Sequence, residues 1–201
     1  MPESNLLNQI MGRHRREPGE LEAIDRRMHD NMARCFDEVL RAVESDAYSK
    51  ALLGGGRGST KSSSASLIIM DGLEHDERAC ALVLRKVGNT LRGSVYEQIQ
   101  WAIDTLGISD HWEATVSPME ITNTRTGQKV VFRGLDEPKK IKSIKLKRRQ
   151  YFKYVWFEEL DEFDGEAEIE NVLDSALRGG PGGIAICSYN PPKSANNWVN
   201  K

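Results

Sequence analysis

The run Gly54-Gly55-Gly56-Arg57-Gly58-Ser59-Thr60-Lys61-Ser62 carries the strongest chemical signal in the 201-residue chain. Chelating a phosphate needs successive backbone N–H groups turned toward one anion. Glycine permits that turn because it has no Cβ, and a following helix adds the positive end of its dipole. The run follows the apolar Ala51-Leu52-Leu53 and precedes a helix-compatible stretch, which is the strand–loop–helix setting such a loop requires. Counted from Gly55, it meets the pattern G-x-x-x-x-G-K-[ST]. Lys61 then takes the position that reaches a nucleotide's terminal phosphates, and Ser62 the hydroxyl that coordinates magnesium. The sixth position departs from the pattern: Thr60 stands where the motif has glycine. Arg57 is either a neighbour of the helix cap or a charge donor to the γ-phosphate, a role an arginine in cis can fill. The plainer alternative is a glycine-rich turn that happens to precede Lys-Ser.

Two further groups stand at strand ends. Tyr154-Val155-Trp156-Phe157 reads as a buried parallel strand and ends in Glu158-Glu159. An acid at such a position can hold magnesium while its neighbour activates the attacking water, so Glu158 is assigned to the metal and Glu159 to the catalytic base. Asp161 is the reserve for either role. Eight acids lie between Glu158 and Glu170, however, and most of them must form a solvated face. The run Ile184-Ala185-Ile186-Cys187 ends in Ser188-Tyr189-Asn190-Pro191-Pro192. Polar groups at the C-terminal end of a central strand face the crevice where open α/β sheets bind ligands. Ser188 or Asn190 is therefore a γ-phosphate sensor, or the segment is an ordinary turn.

The elements that must position these groups follow from periodicity. Short apolar runs separated by glycine-bearing turns and helical stretches predict an α/β fold, a sheet covered by helices. The predicted strands are Lys50–Leu53, Ala79–Leu84, Tyr154–Phe157 and Gly183–Ser188, and the predicted helices are Ser62–Glu74, Asn89–Leu106 and Gly165–Leu177. Met119–Asn123 and Gln128–Phe132 flank Thr124-Arg125-Thr126-Gly127 as a hairpin, with glycine at a positive-φ position. Apolar residues from Leu21 to Val43 recur at spacings of three and four, which predicts one long amphipathic helix. The first 18 residues read as a mobile arm or a short first helix. Residues 1–45 thus form an N-terminal arm and helix, and 46–201 one domain. No apolar run approaches the ~18 residues of a membrane span, and the N-terminus does not resemble a signal peptide, so an intracellular soluble protein is expected. Cys35, Cys80 and Cys187, an odd count without CxxC spacing, read as reduced thiols rather than a disulfide frame or zinc site.

Five ordered blocks together resemble the terminase large subunits of tailed bacteriophages, especially the PBSX-like group. These blocks are Gly55–Ser62; Val83–Arg92 with Ser94-Val95-Tyr96; Gly134-Leu135-Asp136-Glu137-Pro138 with Lys142-Ser143; Trp156–Glu159; and Tyr189–Pro192. The resemblance runs from about Tyr48 to Lys201 and implies a RecA-like P-loop ATPase fold. That fold is a mostly parallel sheet with helices on both faces, here with an inserted β-hairpin and an N-terminal helix. It implies ATP and Mg2+ as cofactors, with Gly55, Gly56, Arg57, Gly58, Ser59, Thr60, Lys61 and Ser62 on the nucleotide. It also implies Glu158 and Glu159 as Walker B acid and catalytic glutamate, and Ser188 to Asn190 as the link from hydrolysis to movement. The implied partners are double-stranded viral DNA, a small subunit, a portal or procapsid, and further copies in a ring, in the host bacterial cytoplasm and away from membranes. A neighbour's arginine would complete the site, and Arg148 and Arg149 are the candidates, with Arg85 and Arg92 behind them. The family's C-terminal nuclease domain is expected to be absent from this polypeptide, and no nuclease activity is expected. A helicase or recombinase fragment and a non-hydrolysing nucleotide- or DNA-binding scaffold are the alternatives.

The formal charge of −2 excludes a uniformly basic binder and conceals a division. Lys139 to Lys153 holds eight bases and no acid, whereas Glu158 to Glu170 holds eight acids and no base. The basic run is either a solvated loop or a DNA-facing segment, with Lys145 and Lys147 as candidate backbone contacts.

Overall fold

The computed structural model describes residues 16–45, 47–136, 141, 143–178 and 180–201. The expected N-terminal arm lies mostly outside these residues, as do Glu137, Pro138, Lys139, Lys140 and Lys142 of the blocks above.

One seven-stranded sheet organises the chain, in the order β1-β7-β6-β2-β5-β4-β3. The strands are β1 (Lys50–Gly54), β2 (Ala79–Arg85), β3 (Trp112–Val116), β4 (Met119–Asn123), β5 (Lys129–Gly134), β6 (Tyr151–Glu158) and β7 (Ile184–Tyr189). The run β1-β7-β6-β2-β5 is parallel, and β4 and β3 extend it antiparallel. The helices are α1 (Pro18–Asn31), α2 (Asp37–Glu44), α3 (Lys61–His75), α4 (Glu97–Leu106) and α5 (Glu166–Ala176).

Strand alternation divides the interior into two layers. Ala79, Ala81 and Val83 of β2 and Tyr154 and Trp156 of β6 face one core, which α1, α2, α3 and α4 close with residues such as Ile24, Leu40, Ile68 and Ile99. Cys80, Leu82 and Leu84 with Val155 and Phe157 face the other, closed by Ile169, Val172 and Leu173 of α5. Continuous burial along β2, with only Arg85 partly exposed, is what a central parallel strand covered on both faces requires. This is the mostly parallel α/β sheet with helices on both faces.

The predicted hairpin is present, with Thr122 opposite Lys129 and Gly127 at φ 75°, and it is built into the sheet because β5 also pairs with β2. Three expectations need correction. The long helix from Leu21 to Val43 is two helices, α1 and α2. Met32 and Ala33 between them are extended, with ψ of 135° and 134°. Asn31 donates from its side chain to the Arg27 carbonyl at 2.8 Å, competing with the helical ladder where α1 ends. Met28, Met32, Phe36, Leu40 and Val43 all reach the core across that break, so the apolar period survives it. The helix expected over Asn89–Leu106 is regular only from Glu97, preceded by short turns at Gly88–Thr90 and Arg92–Tyr96. Finally, β3 adds a strand to those expected: Trp112-Glu113-Ala114-Thr115-Val116 alternates apolar and polar residues, but it is a short edge strand in which only Trp112 is buried. No helix of the described residues is long and apolar enough to cross a membrane.

Candidate functional site

The strand order makes a site out of segments far apart in sequence. β7 lies between β1, which feeds the glycine loop, and β6, which ends in Glu158. The C-terminal ends of these three parallel strands therefore open on one crevice. Arg57, Gly58, Lys61, Ser62, Glu158, Glu159, Ser188, Tyr189 and Asn190 line a cavity of about 190 Å³ there.

The loop from Gly55 is shaped by backbone conformations that match its sequence. A Cβ on Gly55 would lie 2.8 Å from Ser59 Oγ, so this position admits no side chain without displacing the serine. Gly58 has φ 77°, and Thr60 is left-handed at φ 61°, ψ 16°. Thr60 thus adopts at its misfit position a backbone that glycine takes freely, at a cost of about 1–2 kcal/mol for an L-residue. Its hydroxyl donates to the Ser59 carbonyl at 2.7 Å. Lys61 opens α3 and is only 8% exposed. Its ammonium donates to the Gly55 carbonyl at 2.7 Å, the Gly56 carbonyl at 3.0 Å, Ser59 Oγ at 3.0 Å and Asn190 Oδ1 at 3.2 Å. The charge is held inside the loop by oxygen acceptors, at the mouth of which Arg57 is exposed.

Opposite the loop, Ser62 donates to Glu158 Oε1 at 2.6 Å, and Ser188 donates to the other oxygen of the same carboxylate. Glu158 and Ser188 are paired across β6 and β7. Trp156, buried two residues earlier on β6, donates from Nε1 to Ser188 Oγ at 2.7 Å and fixes that hydroxyl. Hydroxyl and carboxylate oxygens without sulfur or imidazole suit a hard divalent cation such as Mg2+, so the Ser62–Glu158 pair fits the metal expected here.

Glu159 stands apart from that pair in the same cavity. Its backbone is left-handed at φ 56°, ψ 59°, a strained conformation for glutamate that turns the chain out of β6. Asn190 Nδ2 donates to Glu159 Oε2 at 3.2 Å, so Asn190 spans from Lys61 on one side to Glu159 on the other. Burial raises the Glu159 carboxyl above the ordinary range, the neighbouring Glu158 raises it further, and Arg85 draws it back. Arg85, at the end of β2, pairs with Glu162 at 3.1 Å. A carboxyl made more basic in this way, beside a cation site, has the character of a general base.

The structure brings together Gly55 to Ser62, Glu158, Glu159, Ser188 and Asn190, but not the basic candidates. Arg148 and Arg149 are exposed in the turn that precedes β6, at the end of that strand remote from Glu158, with Arg149 at φ 75°. Lys147 lies in the same turn, close over Gly127, and Lys145 borders a different cavity, beside Gly134 and Asp136. Asp161 lies beyond Glu159 in the short turn Leu160–Glu162 and does not line the site's cavity. Two residues contribute roles that the motifs do not assign them: Trp156 fixes the Ser188 hydroxyl, and the charge of Arg85 acts on Glu159 of its own chain rather than on a neighbour's site. The signal for Trp156 was its even spacing from Glu158 together with an indole N–H that needs an acceptor when buried.

The family model described as phage terminase large subunit matches residues 49–201. The large terminase subunit of Bacillus phage SPP1 is 39% identical over 179 residues, covering 87% of this chain and 42% of that protein. The PBSX phage terminase large subunit of Bacillus subtilis strain 168 is 32% identical over 152 residues, covering 73% of this chain and 32% of that protein. The chain thus spans less than half the length of either relative. The crystal structure of the HK97 bacteriophage large terminase superposes with a TM-score of 0.63 at 10% identity, over 84% of this chain and 35% of that one, a likeness of fold.

Proposed function

The chain belongs to the phage terminase large subunit family, and from that membership we propose that it is a Mg2+-dependent ATPase motor unit that drives double-stranded viral DNA into a procapsid. The observation that carries the chemistry is the convergence of Lys61, Ser62, Glu158, Glu159 and Asn190 on one cavity at the ends of β1, β6 and β7.

In this reading the backbone N–H groups from Gly55 to Ser62 cradle the phosphates. The Lys61 ammonium leaves its loop carbonyls for the β- and γ-phosphate oxygens, an exchange of neutral acceptors for charged ones. Ser62 and Glu158 would hold Mg2+, which when bound neutralises charge on the phosphates. Glu159 takes the proton of the attacking water, and its raised carboxyl makes it the stronger base for doing so. Arg57 at the rim adds positive charge toward the γ-phosphate. Asn190, bonded to both Lys61 and Glu159, registers the phosphate's loss and passes it with Ser188 into β7.

The finer proposals rest on family membership. They are a ring of copies on a portal, a small-subunit partner, an arginine from a neighbouring copy at Arg148 or Arg149, DNA contact through Lys145 and Lys147, and action in the host cytoplasm. Residues 46–201 form the motor unit, with α1 and α2 packed against its core.

The test is nucleotide turnover with and without DNA. Glu159→Gln should cut hydrolysis by roughly 100- to 10,000-fold, the range for losing a general base, while nucleotide binding persists. Lys61→Ala should lose binding and turnover together. Undiminished turnover in Glu159→Gln would remove it as the base. Nucleotide binding without phosphate release, even with DNA and partner subunits present, would point instead to a scaffold.

A further inference from the structure

Away from the nucleotide cavity, α1 and α3 bring together Asp25, Asp71 and His75, whose ligand atoms all lie within 4.8 Å of one another. Asp71 and His75 are four residues apart on α3, the spacing that puts two side chains on one helical face. Asp71 is 6% exposed, and its Oδ1 is buried without a hydrogen-bond partner. A buried carboxylate oxygen left unpaired is costly, and here a second carboxylate faces it.

The imidazole orientation adds a second observation. His75 Nδ1 lies 3.0 Å from the Asp71 backbone carbonyl, which can only accept, so Nδ1 carries the ring proton. Nε2 then faces Asp25 Oδ1 at 3.3 Å. Nε2 is thus turned toward a carboxylate oxygen rather than toward the helix backbone. That separation also equals the ligand-to-ligand edge of a tetrahedral site with bonds of roughly 2.0–2.1 Å. A ring nitrogen bonded to a backbone carbonyl while the other faces outward is the usual arrangement of a metal-bound histidine. The side chains of His75 and Asp25 are 40% and 42% exposed, which leaves room for a water ligand.

We propose that Asp25, Asp71 and His75 form a site for a divalent transition ion, Zn2+ in the first instance, that clamps α1 to the last turn of α3. One imidazole and two carboxylates favour Zn2+ over Mg2+. The clamp ties the N-terminal segment to the far end of the helix whose first turn holds Lys61 and Ser62, and it is separate from the Ser62–Glu158 pair.

The test uses the full 201-residue chain stripped with a chelator and titrated with Co2+ and Zn2+. One equivalent of Co2+ should give a visible d–d spectrum without sulfur charge-transfer. Zn2+ should displace it and raise the thermal midpoint by about 5–10 °C at a hundredfold excess over Kd, and the same concentration of Mg2+ should do neither. His75→Ala and Asp25→Asn should each weaken Zn2+ at least tenfold. Asp71→Asn should abolish the response. Glu158→Gln and Cys35→Ser should leave the spectrum unchanged. A Co2+ signal that survives His75→Ala, or that disappears with Glu158→Gln or Cys35→Ser, would overturn the proposal. So would a thermal midpoint that does not respond to Zn2+.

Discussion

Glu159 is the residue whose chemistry the fold alters most. Its carboxyl is raised by burial and by Glu158, and the opposing influence is the guanidinium of Arg85. A base works as the carboxylate, so the acidic limb of the turnover profile should lie above the range of an ordinary glutamate. Arg85→Ala removes the charge that favours the carboxylate and frees Glu162 beside it, both of which disfavour ionisation of Glu159. The limb should move to higher pH, and turnover should fall more at about pH 6 than at about pH 8. A profile of kcat against pH for the two proteins checks this; a limb that stays in place or moves down would separate Arg85 from the base. Thr60 makes a related point. The motif asks for glycine because of a left-handed backbone, and the threonine supplies that backbone regardless. Thr60→Gly should therefore keep nucleotide turnover within a few-fold, measured in the same assay, because the loop's shape does not depend on the threonine side chain.

At the scale of elements, the loop works because α3 is held against the sheet at a fixed distance. Gly72 sets that distance: a Cβ there would lie 2.0 Å from the Tyr154 hydroxyl oxygen and 2.6 Å from its Cζ, a clash with a rigid ring on β6. Gly72→Ala should destabilise the protein by about 1–3 kcal/mol, read from urea unfolding at unchanged m-value, and lower nucleotide affinity by tilting the helix that carries Lys61. An unchanged midpoint would mean that α3 can shift without loss. Nothing in the periodicity of α3 singles out Gly72, since the contact is with a strand far along the chain. Most elements themselves were legible, because apolar runs such as Ala79–Arg85 and the period of α3 are local properties. The break between α1 and α2 was not, because Met32 and Ala33 leave the helix without proline or glycine and the apolar spacing continues past them. Nor was β3, a five-residue edge strand that buries only Trp112. The members of the site could be named from motif spacing, yet their contacts could not. Ser188 reaches Glu158 only because β7 inserts between β1 and β6, an order that no local pattern encodes.

Across the whole molecule, the near-zero net charge resolves into two unequal surfaces. Half of the acidic run from Glu158 is paired within the fold: Glu170 pairs with Lys50, Glu162 with Arg85 at 3.1 Å, and Asp164 and Glu168 with Lys86 at 2.7 and 2.8 Å. Lys145, Lys147, Arg148 and Arg149 are exposed, and among the described residues no ion pair engages them. Their charge is therefore available to a polyanion, while four of the eight acids are paired with bases of the fold. If these four side chains neutralise DNA phosphates, each releases condensed counterions, and log K falls with log salt by about 0.9 per contact on duplex DNA. Replacing all four with alanine should then weaken duplex binding and flatten the salt slope by up to roughly 3 to 4, with little loss of stability because the positions are solvent-exposed. The slope separates this from a general loss of affinity, since damage elsewhere would lower binding at every salt concentration without changing its dependence. An unchanged slope would leave the segment as a solvated loop. A second readout distinguishes the arginines from the lysines. If Arg148 or Arg149 completes a neighbouring copy's site, replacing the two arginines alone should abolish the rise of specific turnover with protein concentration, whereas replacing Lys145 and Lys147 alone should leave that rise intact and affect only the DNA slope.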